Sequence, residues 1–79
     1  MYYVYVLRSQ KTGHLYTGHT ENLDQRIEWH NKGLSPYTKG RGLWDLVYYE
    51  VYLTRGDAMK RERFLKSGKG REYLKGKIG

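Results

Sequence analysis

The chain has 79 residues, fifteen Lys/Arg against eight Asp/Glu, a net charge of +7 and no cysteine. That is one domain, residues 1–79, with no disulfide framework or thiolate metal site and no apolar run near the roughly 20 residues of a membrane span. The N-terminus MYYVYVLRSQ lacks the basic-then-apolar order of a signal peptide, and the absence of cysteine suits a cytoplasmic location.

In chain order, YYVYVLRS (residues 2–9) is β-branched and aromatic and reads as a strand. SQKTG follows as a turn, and HLYTG (14–18) reads as the returning strand of a hairpin. Asn22 with Gln25 three residues later opens a helix over about 23–32, and Gly33 stops it. Residues 33–43 hold the only proline, three glycines, Lys39 and Arg41, and read as a mobile basic loop. WDLVYYEVYL (44–53) is a third strand. Thr54 and Asp57 form a capping pattern for a second helix to about Ser67. SGKG breaks it, and REYLKGKI is a short last helix. The order β-β-α-β-α-α predicts an α+β fold, a three-stranded, mostly antiparallel sheet flanked by helices.

The charge is uneven. From Thr54 onward nine Lys/Arg face three Asp/Glu, so +6 of the +7 lies in that third of the chain. A basic surface gains affinity for polyanions by releasing their counterions, which points to nucleic acid. Nine tyrosines stand beside one phenylalanine. Such residues serve strands well and also stack on bases.

On the first helix, Leu23 and Ile27 define the buried stripe, with Asp24 and Glu28 toward water. Arg26 and His30, four apart, share one edge of that stripe. An arginine there offers a planar fork to a phosphate; a surface arginine beside a rim histidine is the other reading. On the second helix Ala58, Glu62 and Leu65 share a face with Met59 beside them. A carboxylate on an apolar stripe needs a partner. Glu62 is then either half of an ion pair with Lys66 or a ligand for a hard cation such as Mg²⁺. Tyr5 and Tyr16 lie on strands that pair and face one another across the hairpin, as packing or as site residues. His14, His19 and His30 match no standard zinc spacing, and no nucleophile motif or phosphate loop is present.

Together these features resemble the GIY-YIG nuclease domain, over nearly the whole chain. YVY (3–5) corresponds to the first signature element and YTG (16–18) to the second. Arg26 ten residues beyond Tyr16, His30 four further on, and Glu62 within AMKRERFLK complete the set. The chain is most similar to small stand-alone members related to the N-terminal nuclease domain of the bacterial excision-repair subunit UvrC. The resemblance implies a metal-dependent DNA endonuclease. Glu62 would hold Mg²⁺ or Mn²⁺, and Arg26 would stabilise charge on the phosphoryl oxygens. Tyr5 and Tyr16 would orient water and phosphate, one of them as general base, and His30 would assist by hydrogen bonding. It departs from the family at Tyr3, where a glycine is usual, and in lacking a C-terminal asparagine. At His19 some members carry a lysine beside the reacting groups.

The basic residues Lys39 and Arg41 of the loop, and Lys60, Arg61, Arg63 and Lys66 of the second helix, are expected to contact phosphates with His19 at the cleft. Phosphate contacts position DNA without reading its sequence. The expected partner is therefore DNA, with RNA an alternative and an additional DNA-binding protein a further partner. A nucleic-acid-binding module that keeps this fold without turnover is the competing reading.

Overall fold

Three strands form one sheet in the order β2-β1-β3: β1 Tyr2–Ser9, β2 Leu15–Thr20 and β3 Trp44–Tyr52. The computed structural model describes residues 1–78. Both pairings are antiparallel, with Tyr5 opposite Gly18 on one side of β1 and Tyr49 on the other. Ser9 shapes the hairpin turn: its Oγ accepts from the Lys11 and Thr12 amides at 3.2 and 3.0 Å. β2 runs two residues past the expected end. Gly18, His19 and Thr20 continue the ladder against Tyr5, Val4 and Tyr3.

Helix α1 spans Leu23–Asn31, α2 Arg55–Lys66 and α3 Gly68–Ile78. The Asn22 and Thr54 side chains cap α1 and α2 by accepting the Gln25 and Asp57 amides at 3.1 and 3.2 Å. α3 begins at Gly68, three residues earlier than expected. Ser67 ends α2 and caps α3, its Oγ accepting the Gly70 amide at 3.2 Å.

Residues 4–7 of β1 are all buried, because helices cover both faces of the central strand. Val4 and Val6 pack with Ala58, Leu65 and Leu74 of α2 and α3. Tyr5 and Leu7 pack with Trp44, against Tyr16 and the α1 residues Leu23 and Ile27. Each such aliphatic side chain contributes about 1.5–3 kcal/mol on burial. Met59 does not join the stripe of α2 and is exposed.

The loop between α1 and β3 is tied down rather than free. Ser9 Oγ donates to the Arg41 carbonyl at 2.5 Å, and Trp44 Nε1 donates to the Thr38 carbonyl at 3.3 Å. Asn31 clips the end of α1 to β3, donating to the Trp44 carbonyl and accepting its amide at 3.2 and 2.7 Å.

Candidate active site

Strand alternation places Tyr5 and Tyr16 on the α1 side of the sheet. Their register is diagonal, since Tyr5 pairs with Gly18 and Tyr16 with Leu7. The rings lie 6.2 Å apart. Gly18 makes this possible: a Cβ there would sit 2.7 Å from the Tyr5 hydroxyl and 3.1 Å from Tyr16 Cε2. Only glycine allows the two tyrosines to close over the strand.

His30 arrives from the last turn of α1 and is buried, not at the rim. Its Nε2 bonds the Tyr5 hydroxyl at 2.9 Å and its Nδ1 bonds Thr38 Oγ1 at 2.9 Å. Its ring lies tilted against that of Tyr16, with centroids 4.8 Å apart. Burial lowers the His30 pKa to about 4, with the Arg26 charge adding to the effect. The imidazole is therefore neutral, donating at one nitrogen and accepting at the other. Burial also pushes the Tyr5 phenol well above its ordinary range. Tyr16 and Glu62 add to that, and Arg26 works against it.

Arg26 lies one helical turn before His30, half-buried, with its guanidinium carbon 4.8 Å from the centre of the Trp29 ring. Among the described residues no carboxylate pairs with it. A half-buried arginine without a counter-ion is suited to binding an anion.

Glu62 comes from α2. His19 Nδ1 donates to its Oε1 at 2.5 Å and Lys66 Nζ to its Oε2 at 2.7 Å. Burial alone would raise its pKa, but these hydrogen bonds and charges outweigh it and hold the carboxyl below its usual range. Glu62 makes no hydrogen bond to the tyrosines, yet its charge and that of Arg26 both act on Tyr5. Tyr5, Tyr16 and His30 are thus in direct contact, with one cation and one carboxylate within electrostatic reach.

A resident Mg²⁺ or Mn²⁺ fits this donor set only in one way. Among the described residues no three ligating side chains converge. Glu62 is an ionised, partly exposed carboxylate whose two partners are themselves partly exposed. One such carboxylate, with water and phosphate completing the octahedron, is an ordinary way to hold Mg²⁺.

The expected phosphate contacts divide. The Arg41 guanidinium carbon lies 4.6 Å from the Tyr37 ring centre, and that ring is 5.3 Å from Tyr16, so this part of the loop borders the site. Lys39, Lys60, Arg63 and Lys66 are exposed. Arg61 is not brought to the cleft. Its Nε and Nη2 clamp Glu50 of β3 at 2.8 and 3.0 Å, and its guanidinium lies over Phe64 and Tyr73. Tyr48 and Tyr52 also donate to Glu50. Sequence reading missed this cluster, although a glutamate between two tyrosines of a strand was a visible signal. It also missed Thr38, which no motif marks.

The GIY-YIG catalytic domain model matches residues 1–75, and the chain belongs to that family of nuclease-type domains. Among relatives, it is similar to a UPF0213 protein of Clostridium perfringens, 46% identical over 67 residues (84% of this chain and 71% of the relative). It is also similar to a UPF0213 protein of Oceanobacillus iheyensis, 37% identical over 75 residues (94% and 86%). The solution NMR structure of a UPF0213 protein from Bacillus halodurans superposes with a TM-score of 0.60 at 37% identity, covering 100% of this chain and 88% of that one.

Proposed function

We propose that the chain is a divalent-metal-dependent DNA endonuclease acting on structured or damaged DNA in repair or recombination. The observation that carries this reading is Arg26, a half-buried cation with no carboxylate partner among the described residues, one turn from the His30–Tyr5 pair. In this reading Arg26 binds the non-bridging oxygens of the scissile phosphate, where charge grows during in-line attack. Tyr5, buried, kept protonated and hydrogen-bonded to His30, acts from behind the site by holding the His30 ring against that of Tyr16. That leaves the half-buried Tyr16 as the tyrosine to accept the water's proton. Water adds to phosphorus and gives its proton to the Tyr16 oxygen as the Tyr16 hydroxyl releases its own to solvent; the bond to the leaving oxygen breaks, and that oxygen takes up a proton from solvent water. Glu62 would hold the cation, which when bound supplies charge neutralisation at the leaving oxygen. Lys39, Arg41, Lys60, Arg63 and Lys66 contribute phosphate contacts, with His19 at the Glu62 side.

A second reading, a nucleic-acid-binding module without turnover, draws on one observation. Glu62 is already engaged by His19 and Lys66, so a cation must displace them. Cleavage of labelled duplex, nicked, branched and single-stranded DNA at low salt with Mg²⁺ or Mn²⁺ separates the two. The nuclease reading requires cuts that disappear in Glu62→Gln and Arg26→Ala. Salt-sensitive binding with no cut on any substrate supports the module.

A further inference from the structure

One groove shares only Arg26 with the chemistry above. It runs along α1, about 600 Å³ in volume, and its walls include Asn22, Gln25, Arg26, Trp29 and Leu34. Trp29 belongs to neither core cluster. Its half-buried ring opens on this groove and meets the His30 ring edge-on at 5.0 Å. We propose that the groove seats an unstacked DNA base next to the phosphate held by Arg26, with the Trp29 indole as its stacking surface. This rests on the reading of Arg26 as the phosphate-binding residue.

Three features support it. Arg26 both lines the groove and lies over Trp29, so an anion site and an aromatic surface are side by side, as phosphate and base are in one nucleotide. The wall's one carboxylate, Glu28, is paired with Lys32 at 2.8 Å, which offsets its repulsion of a polyanion. Asn22 uses its side-chain oxygen to cap α1, leaving its amide N–H groups to meet a base edge, and Gln25 lies a turn away. The volume is ample for one nucleotide. Duplex DNA keeps its bases stacked inside, so the substrate class is DNA with an unpaired nucleotide beside the cut: a single strand, a flap, a bulge or an extruded base.

Trp44 is 2% exposed, so Trp29 is the tryptophan a strand can reach. The experiment titrates the whole chain, in EDTA, with a thymidine oligonucleotide and with a strand of equal length made of abasic residues, following tryptophan emission and anisotropy of a labelled strand. Base-bearing DNA should quench emission and bind about tenfold more tightly than the abasic strand. Trp29→Phe should keep most of that ratio, and Trp29→Leu should bring it near one while leaving affinity for the abasic strand unchanged. A wild-type ratio of one, or a ratio that survives Trp29→Leu, overturns the proposal. If cleavage is observed alongside such a ratio, only the base site falls. If neither strand binds and nothing is cut, the nuclease reading falls with it.

Discussion

The Tyr5 hydroxyl and His30 Nε2 lie 2.9 Å apart in a pocket where both residues are 1% exposed. Neither group can turn to water for a substitute partner. Removing the imidazole strands the Tyr5 hydroxyl and Thr38 Oγ1 together and opens a cavity. His30→Ala should therefore cost about 2–4 kcal/mol in urea unfolding at pH 7.

The same residue sets a pH dependence. The folded pKa of His30 is depressed to about 4, below its ordinary 6.5. Its contribution to stability is complete above pH 6.5. It is lost as pH falls toward 4, because the unfolded chain takes up a proton that the folded chain refuses. Urea midpoints at pH 7, 6, 5 and 4 should show this decline in wild type and a shallower one in His30→Asn. NMR titration of the His30 ring should give a midpoint near 4.

Gly18→Ala puts a methyl 2.7 Å from the Tyr5 hydroxyl and 2.9 Å from its ring carbon. The Tyr5 ring is held by His30 and packed on Leu7 and Trp44, so it cannot move aside freely. A loss of about 1–3 kcal/mol is expected by thermal unfolding. Cleavage should fall more than the melting temperature alone explains, since the tyrosines bear the strain.

Arg61 and Glu50 separate a structural charge from a binding one. The Glu50 carboxyl would be raised by burial, but hydrogen bonds from Arg61, Tyr48 and Tyr52 hold it low. Arg61→Met leaves that carboxylate in a half-buried site without its cation and should cost about 2–3 kcal/mol. Glu50→Leu combined with Arg61→Met should recover much of the loss, which urea unfolding of the three variants measures.

Arg63, next but one on the same helix, is exposed and forms no ion pair among the described residues. Arg63→Gln should leave stability within about 0.5 kcal/mol. It should flatten the log–log dependence of DNA affinity on salt by about 0.7–0.9, the loss of one phosphate contact. Fluorescence anisotropy at 50–200 mM salt reads that slope. An unchanged slope would remove Arg63 from the interface.

Most of the elements were legible because local chemistry and tertiary structure agree. The alternation of β1, and the Asn22 and Thr54 caps, act within a few residues of themselves. Helical spacing singled out Arg26, His30 and Glu62, strand pairing Tyr5 and Tyr16, and the family resemblance joined the five into one candidate site. What escaped depends on contacts far apart in the chain. Gly18 reads as the last residue of its strand but lies inside it, where the Tyr5 ring fills the space of its missing side chain. The 33–43 segment has turn composition, yet Thr38 is tied to His30 and Arg41 to Ser9. Arg61 has the same composition and helix as Arg63. Only the position of Glu50 across the fold tells them apart.

The burial of β1 on both faces has a consequence for how such a chain evolves. Odd positions carry the tyrosine of the site and even positions the valines that seat α2 and α3. A slip of one residue would exchange the two sets. The geometry of the candidate site and the hydrophobic packing are therefore inspected by the same event, the pairing of one strand. A register-shifted copy does not keep a damaged site in a sound fold, because it fails both tests together. Selection for stability alone would keep the site's alignment in descendants that had lost the use of it.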